Sequence, residues 1–323
     1  MSKAIRIHTT GGPEVLKWEQ LPTPSPGPNE ALIQHQAVGL NYIDIYFRTG
    51  LYKTALPATI GMEAAGTILA LGDKVTGLAV GDRVAYAGGP LGAYATERVI
   101  PADRLVKLPE SIDFSTAAAM MLQGLTAYYL LFRTFKPQAG QTVLLHGAAG
   151  GVGLIMCQWA RHLGVNVIGV VSSAEKAALA KANGAAHTII GHANLVAEVK
   201  KLTAGAMVPV VYDGTGKDTF MASLDCLAPL GLMVSYGSAS GAVPPFDIST
   251  LATKGSLFLT RPTLASYTTT RADLTAGANA LFDAVASGAV KIQVNQSFKL
   301  QDAAAAHIAL EARQTTGSTV LLP

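Results

Sequence analysis

Between Thr142 and Gly164 the chain reads TVLLHGAAGGVGLIMCQWARHLG, and few folds accommodate such a stretch. An apolar run enters a knot of glycines, and a segment of helical spacing leaves it and stops at a glycine. The same order repeats downstream. NVIGVVS reads as a strand, AEKAALAKANG as a helix and TII as a short strand. LVAEVKKLTAG reads as a helix, VPVVYDG as a strand, TFMASLDCLAPLG as a helix and LMVSYG as a strand. Strand and helix alternating at this pitch predict an α/β domain with a doubly wound parallel sheet. The first hundred residues have another texture. EALIQHQAVGL, AAGTILAL and GDRVAYA are short apolar or alternating runs separated by turn signals such as PTPSPGPNE, so this part is β-rich. The last sixty residues hold two helical segments, TRADLTAGANALFDAVASG and QDAAAAHIALEA, and end in the strand-like STVLLP. They do not extend the alternation and are expected to pack back onto the first domain. The expected division is 1–122 with 264–323, and 123–263.

With 323 residues, 50% of them hydrophobic and 14% charged, the chain can bury two cores and leaves little to disorder. A net charge of +3 gives no reason to expect nucleic acid or a membrane surface. Cys157 and Cys226 are the only cysteines, which excludes a disulfide framework and a four-cysteine zinc site. The opening MSKAIRIHTTGG has no apolar core of a signal peptide. STAAAMMLQGLTAYYLLF is broken by Gln123, Gly124 and Thr126 and is expected to be a buried helix rather than a membrane span. A globular protein of the cytoplasm is the expectation.

Gly147, Gly150, Gly151 and Gly153, with Val152 among them, lie between a predicted strand and a predicted helix. Small residues there let the backbone approach a pyrophosphate, and the helix N-terminus offers it unpaired N–H groups. The first glycine of the dinucleotide fingerprint would fall at Ala148, and the same glycines also suit a tight turn with no ligand. Where NAD-binding chains carry an acid for the ribose, about 20 residues on, this one has Ser172, Ser173 and then Lys176. A hydroxyl and an ammonium suit a 2′-phosphate, which favours NADPH. Ser172 as a helix cap and Lys176 as a solvated surface residue is the alternative.

GGPEVL, GMEAAGTI, GDRVAY, GLTAYYLL and HGAAGGVG follow one another in this order. Together with LDCLAPLGLMVSYG and TRPTLASY, they resemble the zinc-independent quinone oxidoreductases, the zeta-crystallin-like branch of the medium-chain dehydrogenases/reductases. The resemblance spans the chain. It implies a GroES-like catalytic domain built from both chain ends around a Rossmann domain, NADPH in the cleft between them, and a homodimer. Zinc-dependent relatives carry a histidine where GMEAAG has Met62, a cysteine upstream near Leu40 and Asn41, and a four-cysteine lobe. A thioether is a poor zinc ligand, and Glu63 alone makes no site, so no metal is expected. Glu63 is expected to be a structural carboxylate paired with a cation or the backbone.

The resemblance also places site residues. NYIDIYFR lies beside the nicotinamide in the family, which makes Asn41 and Tyr46 the candidates for ordering the ring, the substrate carbonyl and a proton; Tyr46 packed at a domain edge is the alternative. On a helix Asn41, Asp44 and Arg48 would share a face. Gln123 and Thr126 match a cofactor-facing turn, with glutamine where several relatives have lysine. Ser172 and Lys176 fall at the 2′-phosphate; where relatives often have a tyrosine this chain has Gly191 followed by His192, so either His192 substitutes or the 2′-phosphate is held less tightly. Gly237 and Ser238 fall by the nicotinamide half, and Arg313 matches an arginine near the cofactor. The cysteines are read as packing residues, and no histidine is assigned a catalytic role.

The activity implied is NADPH-dependent, metal-independent reduction of a quinone. The rivals are reduction of activated C=C bonds in enones or 2-alkenals, with Tyr46 as proton donor, and a non-catalytic NADPH-binding protein of crystallin or RNA-binding type.

Overall fold

The computed structural model describes all 323 residues. Contacts divide the chain into two compact units. The first comprises Met1–Leu125, Thr268–Ala286 and Ile292–Pro323; the second comprises Thr126–Tyr267 and Ser287–Lys291.

The first unit opens with strands β1 (Ser2–Ile7), β2 (Lys17–Leu21) and β3 (Glu30–Leu40), then helix α1 (Tyr42–Thr49). Strands β4 (Ala58–Thr59), β5 (Glu63–Leu71), β6 (Arg83–Ala87), β7 (Glu97–Pro101) and β8 (Val106–Lys107) follow, and then helix α2 (Phe114–Tyr129). Over the middle of β3 the residues Ile33, His35 and Ala37 are buried while Gln34 and Gln36 are turned out, the alternation that one wet face requires, whereas both ends of the strand are buried on both faces. The same unit's core gathers Ile5, Ile33, Val38, Ile68, Val84 and Ile100 around Tyr86 and Tyr94.

The second unit alternates strand and helix. Its strands are β9 (Thr142–His146), β10 (Asn166–Val171), β11 (His187–Ile190), β12 (Val208–Asp213), β13 (Leu227–Ser235) and β14 (Phe258–Thr260). Helices α3 (Gly151–His162), α4 (Ala174–Ala182), α5 (Leu195–Leu202), α6 (Phe220–Asp225), α7 (Ser249–Thr253) and α8 (Leu264–Tyr267) lie among and after them. The sheet runs in the order β11-β10-β9-β12-β13-β14, every pair parallel, so the winding reverses between β9 and β12. This is the doubly wound dinucleotide order, whose ligand crevice lies beyond the carboxyl ends of the strands at that reversal.

The expected helix over TFMASLDCLAPLG is half right. Helix α6 stops at Asp225, and Leu227 already pairs with Val208 in the sheet. Pro229 has no N–H to continue a helix, and Leu230 takes a φ of +63° just beyond it.

The chain is back in the first unit with α9 (Arg271–Ala286), and after Ser287–Lys291 it adds β15 (Val294–Lys299), α10 (Ala303–Glu311) and β16 (Ser318–Leu322). Strand β16 pairs antiparallel with β3 and parallel with β15, giving a seven-stranded sheet in which β7 also pairs with β3. The last residues thus complete a sheet begun by the first forty. No helix is long and apolar enough to cross a membrane.

Candidate functional site

In the second unit the residues singled out in the sequence stand at the carboxyl ends of the strands. Gly147 leaves β9 with a φ of +69°, and it and Ala148 donate their N–H groups to Val170 O at 3.1 and 3.2 Å. Gly150 N–H turns back to Gly147 O at 2.9 Å, and α3 begins at Gly151. Gly153 is required by packing: a Cβ there would fall 2.2 Å from Gly147 O and 2.7 Å from the Ala148 Cα. Gly147 and Gly150 are exposed, and Gly151 and Val152 are half-buried. The first N–H groups of α3 therefore lie at the surface without intrahelical acceptors, a cradle that fits the phosphates of a dinucleotide.

Ser172 follows β10 and is exposed. The cap of α4 is Ser173, whose Oγ accepts the Lys176 N–H at 3.2 Å, so capping leaves the Ser172 hydroxyl to other partners. Lys176 lies in the first turn of α4, half-buried, and His192 follows β11, exposed. Gly237 and Ser238 follow β13; a Cβ on Gly237 would fall 2.3 Å from Gly214 O, so the loops after β12 and β13 touch. Arg261 ties this corner together, donating to Ser235 O at 2.7 Å and to Ser238 Oγ at 3.3 Å. Thr126 is buried in α2. Beneath the loops Asp213 Oδ1 accepts N–H groups from Thr215 and Gly216, its Oδ2 accepts the Thr219 hydroxyl, and Ser223 bonds His146 Nε2 at 2.9 Å. Burial lowers the basicity of His146. Sequence reading missed Asp213, Ser223 and Arg261, whose roles are set by loops far apart along the chain.

In the first unit Asn41 is the N-cap of α1, in extended conformation, so it does not share the helical face expected for it. Its backbone N–H donates to Asp44 Oδ2 at 2.9 Å. Its Nδ2 donates to Glu63 Oε2 at 2.7 Å, and its Oδ1 accepts from Gln123 Nε2 at 3.2 Å. Ser318 in turn donates to Gln123 Oε1 at 2.6 Å. Glu63 pairs with Asn41 and with the Leu122 N–H at 2.7 Å, not with a cation. Burial pushes its carboxyl up to about 8. Tyr46 is 8% exposed, with its ring edge-on to Tyr52 at 5.3 Å. Arg313 follows α10 with a φ of +57° and is exposed.

Asp44 anchors a second buried chain. Tyr94 donates its hydroxyl to Asp44 Oδ2 at 3.1 Å and sits 2.9 Å from His307 Nε2, while Arg48 Nη1 donates to His307 Nδ1 at 3.2 Å. Arginine only donates, so His307 carries its hydrogen on Nε2 and gives it to Tyr94. Burial, and then the Arg48 charge, holds His307 down to about 3, while burial pushes Asp44 up to about 7. Arg48 is completed by both carboxylate oxygens of Glu311. His307 and Ser318 had no local signal, because their partners lie some two hundred residues away or more.

The donor set does not suit a zinc ion. Asn41, Glu63 and Met62 offer one carboxylate, already committed to an amide and a backbone N–H, and a thioether. No three His, Cys, Asp or Glu side chains converge anywhere as metal ligands. Cys157 and Cys226 are buried, and burial pushes both thiols up to about 12, so neither is a nucleophile.

A winding sheet with a glycine cradle, joined in sequence to a β-rich unit closed by both chain ends, defines a dehydrogenase/reductase of the GroES-like type. Residues 27–110 match the alcohol dehydrogenase GroES-like domain, and residues 151–264 match the zinc-binding dehydrogenase domain. The chain is 52% identical to a quinone oxidoreductase of Pseudomonas aeruginosa, over the full length of both. It is 45% identical to a 2-haloacrylate reductase of a Burkholderia species, over all of this chain and 99% of the relative. The solved structure of Escherichia coli quinone oxidoreductase complexed with NADPH superposes with a TM-score of 0.98 at 46% identity, covering 99% of this chain and 100% of that one. The chain belongs to the quinone oxidoreductase family of medium-chain dehydrogenases/reductases.

Proposed function

We propose that the chain reduces quinones with NADPH and without a metal ion. The observation that carries this reading is the pairing of an open glycine cradle with a zinc position filled by Met62 and a committed Glu63. Full-length relatives that are quinone oxidoreductases support it. NADPH, when bound, supplies the reducing equivalents from nicotinamide C4. A quinone is already electrophilic and needs no Lewis acid, so holding it in place provides much of the catalysis.

Residue roles follow from the family pattern and from the positions described above. Gly147, Gly150, Gly151, Val152 and Gly153 hold the pyrophosphate at the start of α3. Ser172 and Lys176 hold the 2′-phosphate, with His192 beside them. Gly237, Ser238 and Thr126 bind the nicotinamide half, and Arg313 contributes a cation. Asn41 and Tyr46 order the ring and the substrate carbonyl. Gln123 acts through Asn41, to which it is bonded.

A second reading is reduction of activated C=C bonds, favoured by the 2-haloacrylate reductase relative. It requires a proton donor at the α-carbon, a role for Tyr46. We also assign the protein to the cytoplasm, which two unpaired buried cysteines suit, and to a homodimer. The edge strand β14 supports the dimer: it pairs only with β13 and exposes Phe258 at 60% and Leu259 at 38%. A twofold axis there would join two such edges antiparallel.

The test is NADPH oxidation with 1,4-benzoquinone, 2-hexenal and 2-chloroacrylate in parallel, with EDTA and NADH as controls and Lys176→Ala as a variant. Quinone turnover that survives EDTA, prefers NADPH and loses that preference in Lys176→Ala is expected. Turnover of the alkenes alone moves the assignment to C=C reduction, and binding of NADPH without any turnover overturns both.

A further inference from the structure

The side chains of Ser318, Gln123, Asn41 and Glu63 form one chain of hydrogen bonds, with side branches from Ser318 to Ala119 O and from the Asp44 N–H to the Asn41 side chain. All four residues are buried. A carboxylate only accepts, so the polarity of the whole chain is set from its Glu63 end: hydrogens point from Ser318 to Gln123, from Gln123 to Asn41, and from Asn41 to Glu63. Each amide in the chain is nearly symmetric in shape and opposite in polarity at its two poles. Along the chain itself the reversed arrangement therefore loses no bond. Gln123 would donate to Ser318, and Ser318 would donate instead to Ala119 O, already 2.9 Å from its Oγ. Shape alone does not choose between the two directions. The acceptor-only carboxylate does, helped by the Asp44 N–H that caps onto the Asn41 side chain.

Its place leaves it no other orientation. Oε1 takes the Leu122 N–H at 2.7 Å, so Oε2 must face Asn41. On the opposite side the carboxylate lies against β3, where a Cβ on Gly39 would meet Oε2 at 2.3 Å. The ionisable groups acting on it are Asp44 from α1 and Tyr86 from β6, and no Lys or Arg bonds it.

We propose that Glu63 is a positioning residue for reduction: its carboxylate fixes which pole of the Asn41 amide faces the bound ligand. This rests on the reading that Asn41 contacts ring or substrate. Glu63 itself touches neither and acts only through Asn41.

Glu63→Gln is a direct test because it keeps the size of the side chain and puts a donor where the carboxylate only accepts. The Oε1 of the introduced amide would accept the Leu122 N–H, and its nitrogen would donate to Asn41 Oδ1, turning the whole chain around. The expected result is a kcat at pH 9 lowered at least tenfold, short of the roughly hundredfold or more that follows loss of an aimed donor outright. The NADPH dissociation constant should match the wild type, and the melting temperature should not fall below it, since the amide carries no buried charge to desolvate. A protonated Glu63 has the polarity of glutamine, and burial raises this group to about 8. Its ionised share then rises from about a tenth to about nine tenths between pH 7 and 9, so the ratio of wild-type to variant kcat should grow about five- to tenfold over that interval. A purely structural carboxylate would cost stability when replaced and leave that ratio flat. Equal kcat values at pH 9, or a flat ratio, overturn the proposal while leaving quinone reduction intact. Absence of quinone turnover in the wild type overturns the underlying reading and the proposal with it. If the variant does not fold, the wild type alone decides: kcat must rise about five- to tenfold from pH 7 to 9 at constant NADPH affinity, and a flat or falling profile refutes it.

Discussion

Replacing Gly153 by alanine adds one methyl group, and the structure says where it must go. The new Cβ would lie 2.2 Å from Gly147 O, whereas real Cβ contacts do not fall below 3.0 Å, so loop and helix must part by about 0.8 Å or more. Neither side yields readily. The obstacle is backbone, and that backbone is pinned by the bonds of Gly147 and Ala148 to Val170 O. Overpacking of this kind costs about 1–3 kcal/mol. For a unit of this size that is roughly 3–10 °C in the melting temperature of the ligand-free protein. Gly150→Ala is the control, since its Cβ would lie 3.3 Å from the same oxygen and ask for a few tenths of an ångström. Differential scanning fluorimetry without ligand should lower Gly153→Ala and leave Gly150→Ala within about 1 °C of the wild type. Titration with NADPH should then show Gly153→Ala weakened by about 5- to 150-fold wherever the loop, rather than the helix, has given way. Equal melting of Gly153→Ala and wild type, with unchanged NADPH affinity, refutes the packing argument.

Stability against pH offers a second test. His35 and His307, held down to about 3 chiefly by burial, stay neutral in the folded chain, so the unfolded chain protonates first and stability falls as pH drops through 6.5. Asp44 and Glu63, pushed up to about 7 and about 8 by burial, bind protons more tightly when folded and so gain stability over the same descent. At roughly 1.5–2 kcal/mol per group between pH 6.5 and 5, the two pairs offset. His146, also lowered by burial, tilts the wild-type profile from urea titrations toward lower stability at pH 5, and His35→Gln should lift the change between pH 6.5 and 5 by about 1.5 kcal/mol. A variant profile parallel to the wild type would sink this account. At the sheet edge, Phe258→Lys places a charge on the exposed strand β14 and should convert a dimer to a monomer in light-scattering chromatography with unchanged secondary structure. A monomeric wild type, or a variant that stays dimeric, removes the edge from consideration.

The winding order of the second unit was legible because strand–glycine–helix is a local grammar: each element announces itself within about ten residues. The error at Cys226–Gly231 shows its limit, since a leucine-rich run reads equally as helix or strand until a neighbouring strand claims it. The glycine cradle was legible for the same local reason. The surroundings of Asn41 were only half so. The change from histidine to Met62 is visible in GMEAAG, but that Glu63 meets an amide rather than a cation depends on Gln123, 60 positions further along. The Tyr94–His307 contact joins residues 213 apart. No periodicity encodes such a pair; only the return of the chain through β16 to β3 brings them together.

That return has a consequence for synthesis. During translation the second unit emerges almost whole and can close its sheet at once. Arg48, by contrast, leaves the ribosome more than 250 residues before the two side chains, His307 and Glu311, that satisfy it. Until the last twenty residues arrive, the amino-terminal unit holds a guanidinium with an incomplete shell and a sheet with one edge of β3 open. A ribosome that stops early therefore yields a well-made nucleotide-binding half attached to a strand-rich half with its charges unmet, the kind of nascent chain on which chaperones and proteases act first.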